Sequence, residues 1–429
     1  MADCIPQTVT LDGRQLAATK ARLQSTDKAA NGNDAPLHEA LALLTAEAEG
    51  WLTQGPWSVT DKAKAGPSGN LHDYVSQAPY WWPDPDPARE SHGGRPYIER
   101  DGQKNPEVLT YTDRVYVEKV FRSAYVLALA WFYTGDARFA ARAALVLRTW
   151  FVAPATAMRP NLDHAQLIPG INTGRAIGII DFSQAYASVL DAAVLLALTR
   201  GPDEGAHGWW TAADDAGFRA WNRAFLAWLV DGKFGQEEHA MRSNHGSFAA
   251  MLVASVAAYV GDTAQVAREV SFAVHEHVPA TITADGQQPA ELARTRSWHY
   301  STFNLLALTR LAMVADRAAE RQSEDDKTGG QTEKGERLWP SLYAAIEYVL
   351  PAATGGRDKW PHADLQFAQF AAADIVRAAA AAGHAASQAA VPKLMMPPDG
   401  DTWPLRPAPE QLDPVKAPGQ TPGTAKPVS

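Results

Sequence analysis

Cysteine is almost missing from this chain. Cys4 is the only one in 429 residues, so no intrachain disulfide can form and a Cys-rich structural zinc site is excluded. Long hydrophobic runs are missing too: no stretch reaches the ~18 consecutive apolar residues of a membrane span, which argues against a membrane partner. Positive charge is in deficit, with 39 Lys and Arg against 48 Asp and Glu and a net charge of −9. That balance argues against a nucleic-acid partner. It argues mildly against a polyanionic substrate as well, unless Arg and Lys gather in one cleft, where local field outweighs net charge. The opening residues, MADCIPQTVTLDG, have neither the basic n-region nor the apolar h-region of a signal peptide. A processed secreted chain would read the same way. Strand-like alternation is scarce, which disfavours parallel α/β folds.

What the chain has in quantity is helix. Hydrophobic residues make up 46% and Trp numbers 14, enough for a large core and too many for wholesale disorder. Residues 37–54 (LHEALALLTAEAEGWLTQ) place apolar groups at 37, 41, 44, 48 and 51, an amphipathic spacing. Residues 113–133 and 136–151 read as a helix pair broken at TGD, with Asp136 as N-cap. Further helices are expected at 181–199, 214–231, 246–260, 263–278, 301–318, 337–350 and 363–384. Consecutive helices with short joints favour antiparallel hairpins. The expected fold is therefore all-α, an (α/α) toroid, that is an incomplete α/α barrel of helix hairpins with long aromatic-rich loops. It spans 37–386, after an N-terminal extension of 1–36. Residues 387–429 are rich in Pro and Ala and read as a tail that wraps the surface and ends in disorder. The polar segment 319–336 reads as a mobile surface loop. The long non-helical stretch 65–112 has the length of a functional loop.

Four segments hold polar groups where structure alone does not ask for them. In NLHDYVSQAPYWWPDPDP (70–87), Tyr80, Trp81 and Trp82 either form a platform for apolar sugar faces or anchor the loop to the core. In LIPGINTGRAIGIID (167–181), Asn172 and Arg175 flank glycines. Gly170 and Gly174 allow close backbone approach to a ligand, and a plain turn with a surface Arg is the alternative. In SNHGSF (243–248) an Asn-His pair opens an apolar helix, with Arg242 just ahead of it. Ser243 or Asn244 suits the N-cap, and His245 falls in the first turn, where the helix dipole favours a neutral imidazole able to take a proton. The fourth, QPAELARTRSWHYSTFNLLALTRLA (288–312), sets Arg294, Arg296, His299 and Tyr300 before another apolar helix. Together the last two segments put Asn, two His, three Arg and a Tyr at helix mouths of an acidic protein.

These segments resemble the signatures of the alginate lyase superfamily. LHDYVSQAPYWWPDP, INTGRAIGIID, SNHGSF and ELARTRSWHYSTFNLLAL follow the family's order over roughly 70–310, most closely the branch of α/α-toroid polysaccharide lyases acting on alginate or glucuronan. The resemblance implies Asn244, His245, Arg294 and Tyr300 as catalytic residues, with Arg296 competing with Arg294 for its position. From the residues themselves, Asn172, Arg175, Arg242, Arg296, His299, Tyr80, Trp81 and Trp82 are expected to contact the substrate, and no cofactor or metal is expected. The chemistry fits these residue types. A lyase removes the C5 proton of a uronate and expels the C4 oxygen, so the carboxylate and the anion developing from it need neutralising. Asn244 offers an amide N–H and Arg294 a charge-assisted pair. Tyr300, beside cations expected to lower its pKa, can act as base, acid or both. Proton and leaving oxygen lie on one face (syn) in mannuronate and glucuronate, where a single Tyr suffices. They lie on opposite faces (anti) in guluronate, which asks for His245 as base and Tyr300 as acid.

The expected function is thus a monomeric lyase, secreted or periplasmic, acting on an anionic uronate polysaccharide. Two alternatives stand beside it. A glycoside hydrolase would need two carboxylates across the bond, and Glu237, Glu238 and Glu291 are on hand, though all read as solvated helix ends. A non-catalytic uronate-binding protein would not need Tyr300. His275 and His277 (HEH) read as solvated helix-end histidines without a third metal ligand.

Overall fold

The computed structural model describes residues 5–25, 34–86, 96–199, 208–325 and 337–411. The helices are α1 (Gly13–Gln24), α2 (Ala35–Trp51), α3 (Asp113–Thr134), α4 (Ala137–Leu147), α5 (Ile180–Ser183), α6 (Tyr186–Ala197), α7 (Ala212–Asp231) and α8 (Lys233–His239). They continue with α9 (Asn244–Val260), α10 (Thr263–Phe272), α11 (Val278–Thr281), α12 (Pro289–Leu292), α13 (Ser297–Asp325), α14 (Trp339–Gly355), α15 (Ala373–Ala381) and α16 (Ala385–Ala390). Successive hairpins form an α/α toroid. Their joints follow local chemistry: Gly135 ends α3 at φ 74°, and the Asp136 carboxylate accepts the Arg138 N–H to start α4, the left-handed stop and side-chain cap expected of TGD. Thr211 and Asp214 close a capping box at the mouth of α7.

At the centre lies α9, buried almost without a break from Gly246 to Tyr259. A helix apolar on every face has to be enclosed on every face, and α6, α7, α8, α10 and α13 pack around this axis. An aromatic ladder of Phe121, Phe151, Phe182, Tyr186, Phe218, Trp221 and Phe225 fills the space between hairpins, with adjacent ring centroids such as Phe151–Trp221 4.8 Å apart. Strands are confined to loops. β1 (Val75–Gln77) pairs in parallel with β4 (His164–Leu167). β2 (Trp81–Pro83) pairs antiparallel with β3 (Tyr97–Glu99), Trp81 opposite Glu99.

Both flanking segments join the ring. Val9, Leu11 and Leu16 of the N-terminal extension are fully buried, and the Asp191 carboxylate on α6 accepts the backbone N–H groups of Val9, Thr10 and Leu11. In the tail, Leu405 to Pro409 are buried. Arg406 pairs with Asp374 at 3.0 Å, Arg122 with Glu410 at 3.0 Å, and Arg310 Nε donates to the Pro409 carbonyl at 2.6 Å. Residues 412–429, the end of the tail expected to finish in disorder, lie outside the described residues. The polar segment 319–336 begins as helix: α13 continues through Asp325, because AERQSED consists mainly of good helix formers, and 326–336 lie outside the described residues. No single described helix is long and apolar enough to cross a membrane.

Candidate active site

Two helix mouths meet at one end of the toroid. Ser243, in an extended conformation, caps α9, so Asn244 and His245 are its first two residues. Gly246 is required there by close approach: a Cβ would lie 2.1 Å from the Met241 carbonyl and 2.7 Å from the His277 ring. Each of the two site residues is held by its own buried glutamate. Glu238, at the end of α8, takes His245 Nδ1 at 2.6 Å, which leaves Nε2 as the exchanging nitrogen. Glu291, on α12, accepts the Asn244 backbone N–H at 2.6 Å and its Nδ2 at 2.7 Å. Neither glutamate is the solvated helix end that the sequence suggests, since they are 0% and 1% exposed. Burial pushes both carboxyls above their usual range. His245 and Arg175 partly offset this at Glu238, and Asn244 and Arg294 at Glu291. One Asn244 amide hydrogen is therefore committed to Glu291, and the second remains for a ligand.

The other mouth belongs to α13. The Trp298 N–H is capped by Asp364 at 2.7 Å, which seats Tyr300 in the first turn. Arg294 Nη2 donates to the Tyr300 hydroxyl at 2.7 Å, the guanidinium carbon lies 3.7 Å from the Tyr300 ring centroid, and Tyr80 reaches the same hydroxyl at 3.2 Å. Asp101 accepts from Arg294 Nε at 3.2 Å and from Nη2. The expectation that nearby cations lower the Tyr300 pKa is reversed. Burial pushes the phenol up, Tyr80 adds to this, and Arg294 offsets only part of it. The mouths are joined by the tilted contact of Phe248 with Phe303, centroids 4.2 Å apart, and by His299, which lies near-parallel to Phe303 at 5.5 Å and edge-on to Tyr300 at 5.1 Å.

Arg175 approaches from the β4 side. Its Nε donates to the Gln166 carbonyl at 2.9 Å and its Nη2 to Gln166 Oε1 at 3.0 Å, and it makes no ion pair among the described residues. Gln166 holds φ at 49°, a strained value for a side-chain-bearing residue. Its Nε2 is tied at 2.9 Å to Asp181, which also takes Ser76. Burial lowers the Arg175 pKa, so this is a half-buried cation whose nearest negative charges act at a distance.

The remaining expectations sort less favourably. Asn172 spends its Oδ1 on the Ile168 N–H at 3.0 Å, a turn cap. Gly174 approaches the protein's own backbone, with a virtual Cβ 1.9 Å from the Asp163 carbonyl, and Gly170 makes a left-handed turn at φ 72°. Arg242 is exposed, two residues from Asn244, and makes no hydrogen bond or ion pair among the described residues. Arg296 bridges Asp364 through its backbone and its buried Nε has no hydrogen-bond partner among the described residues, whereas Arg294 is the arginine whose guanidinium reaches the Tyr300 hydroxyl. Of the aromatic platform only Tyr80 reaches the Arg294–Tyr300 pair. Trp81 packs against Ala78, Tyr97 and Ile168, and Trp82 is covered by Arg100 at 5.1 Å while its Nε1 donates to Gln103. His277 is buried against the Ser247 hydroxyl at 2.7 Å, and burial with His239 lowers it to about 4. It is a core histidine and not a solvated one. Among the described residues no group of three or more His, Cys, Asp or Glu is arranged to hold a metal ion. Asp101, Gln166, Asp181 and the roles of Glu238 and Glu291 escape sequence reasoning. The one available signal is that EE stands seven residues ahead of the Asn-His pair.

A family model for alginate lyase matches residues 58–360. Among solved structures, an alginate lyase from Bacteroides ovatus matches with a TM-score of 0.77 and 27% identity over 94% of this chain and 99% of that one. Alginate lyase A1-III from Sphingomonas species A1 gives 0.53 and 15% over 94% and 96%, and a variant of A1-III complexed with a tetrasaccharide gives 0.53 and 14% over the same shares. At those identities the A1-III structures establish the shared fold alone. A search of curated protein sequences found no match. The family match covers well over half of the chain and includes both helix mouths, so this toroid belongs to the alginate lyase family and is a polysaccharide lyase.

Proposed function

We propose that this lyase cleaves β-1,4-linked uronate polymers by syn β-elimination, with mannuronate-rich alginate as its first substrate and glucuronan as its second. The observation that carries this is the Tyr300 hydroxyl, held between Arg294 at 2.7 Å and Tyr80 at 3.2 Å. An oxygen that already accepts from a guanidinium is stabilised as a phenolate. In the ionised form it takes H5. The C5–H electron pair moves into the carboxyl group and then forms the C4–C5 double bond as the C4–O4 bond breaks. The proton returns from Tyr300 to the leaving O4, so one residue serves both steps on one face of the sugar. The second amide hydrogen of Asn244 and the Arg294 charge would neutralise the developing carboxylate, and His245 would donate or accept through Nε2. Arg175 suits the carboxylate of a neighbouring uronate. Polymers of this kind lie outside cells, which places the enzyme in the periplasm or the medium, and a monomer is sufficient for the chemistry.

The test is a panel of polymannuronate, polyguluronate, glucuronan and polygalacturonate followed by ultraviolet absorbance of the unsaturated product. Wild type should raise absorbance on polymannuronate first, and Tyr300→Phe should lower kcat by about 100- to 10,000-fold while remaining folded. New reducing ends without absorbance would mean hydrolysis and turn attention to Glu238 and Glu291. Cleavage of polyguluronate alone would replace the syn reading with an anti mechanism based on His245.

A further inference from the structure

The hairpin that brings Tyr80 to the site brings a carboxylate that the reaction above does not use. Asp101 lies in the turn after β3, 193 residues from Arg294 in the chain, and grips both Nε and Nη2 of that arginine along one edge. Because the guanidinium is planar, an in-plane carboxylate on one edge fixes the orientation of the whole group. Here the fixed plane lies over the Tyr300 ring, 3.7 Å from its centroid, with the other Nη2 hydrogen on the phenol oxygen. We propose that Asp101 is a positioning residue for the elimination, which holds Arg294 in place on Tyr300 and sets how strongly the phenolate is stabilised. This rests on the reading of Tyr300 as the proton carrier.

Asp101 is built in rather than incidental. Thr295 Oγ1 donates to it at 3.1 Å. Its turn needs Gly102 at φ 74°, where a Cβ would come within 2.9 Å of that Thr295 oxygen. The same turn is pinned to the Tyr80 strand: the Arg100 N–H donates to the Tyr80 carbonyl at 2.8 Å, and the Asn105 N–H to the Pro79 carbonyl at 2.7 Å. Tyr80 and Asp101 thus arrive as one unit, the first on the Tyr300 oxygen and the second on the cation beside it. The charge balance has a direction. Asp101 is held low by Arg294 and is therefore ionised, so it opposes the pull of Arg294 on the Tyr300 proton. The other groups facing this pair are Tyr80, the His299 ring at its edge, and Glu291, which feels the Arg294 charge from α12. None of these repeats the edge-on grip.

Asp101→Asn and Asp101→Glu, with Tyr300→Phe beside them, would be assayed on the polymer that wild type degrades, over a range of pH, with melting temperatures recorded. For Asp101→Asn we expect kcat to fall on the order of 100-fold through misplacement of Arg294. KM should hardly change. The pH limb governed by Tyr300 should move up by about one unit, since an Arg294 no longer held on the phenol stabilises the phenolate less, which outweighs the loss of the opposing Asp101 charge. Asp101→Glu keeps a carboxylate to grip Arg294, so its limb should stay at the wild-type position even if kcat falls. A wild-type kcat and an unmoved limb in Asp101→Asn would overturn the proposal. So would a loss of activity that only follows loss of folded protein, with the limb of the surviving fraction unmoved. If wild type itself forms no unsaturated product, the reading of Tyr300 fails and this proposal falls with it. Product from wild type with an indifferent Asp101→Asn removes the proposal alone.

Discussion

The Tyr300 hydroxyl is the most contested atom of the site. Burial and Tyr80 raise its proton affinity, and Arg294 lowers it. Its net direction is upward, so at neutral pH the phenol is protonated and the base form is scarce. If Tyr300 is the base, kcat/KM should climb with pH along an alkaline limb, and a pH–rate profile would show activity falling as pH drops toward neutrality. A profile that instead declines through the alkaline range would mark Tyr300 as the acid. The two buried glutamates lend themselves to a separate prediction. Glu291→Ala removes the partner that fixes which face of the Asn244 amide is the donor, so it should lower kcat on the order of 100-fold with little change in KM. Steady-state kinetics on the folded variant would check this. The candidate positions Asn244, His245, Arg294 and Tyr300 were legible in the sequence through the family resemblance of the two segments that hold them. Their anchors were not. Glu238 and Glu291 look like any charged helix end until the fold buries them, and the Asp101–Arg294 pair spans a separation at which local spacing carries no information.

The helices themselves follow periodicity and capping closely, as at the TGD joint and the mouth of α9. Periodicity missed the features that interrupt a helix without ending it. Arg148–Val152 and Ala273–His277 are wider π-helical turns, the second of which brings His277 under Gly246. It missed the short strands as well, because three residues give no alternation to detect. The continuation of α13 past residue 318 went unseen for a different reason: its polar turns have helix propensity but no apolar stripe. The packing at the start of α9 is tight enough to predict an outcome. Gly246→Ala drives a methyl against the Met241 carbonyl, a backbone atom that cannot swing away, and should cost at least about 2 kcal/mol. A denaturant midpoint would measure it, and His245 should be displaced in the same variant, so activity falls with stability.

On the scale of the whole molecule, charge is organised by pairing. Among the described residues arginines commonly face carboxylates, as half-buried Arg148 does Asp214 and buried Arg377 does Asp401. A net charge of −9 therefore coexists with a site in which Arg175 is left without an ion pair among the described residues. The end opposite in sequence depends on Glu410. Burial raises its carboxyl, and Arg406, Arg122 and Arg310 together overcome this and bring it below its usual range. A depressed carboxyl contributes stability above the unfolded value, and that contribution is lost as pH falls through the folded one. Glu410→Ala should cost about 1–3 kcal/mol, because Arg122 and Arg406 lose a carboxylate while keeping Glu47 and Asp374. Its stability should also lose part of the acid dependence seen in wild type, which thermal melts at descending pH would show. The tail interlock has a consequence for assembly as well as for energy. The 403–405 turn touches both α1 and α2, so these two helices, which also meet α3, complete their packing only when a segment far along the chain is in place. Closure of the ring is in this respect a long-range event, and a chain cut before 403 would keep every candidate site residue named above while losing one wall of the ring that carries them.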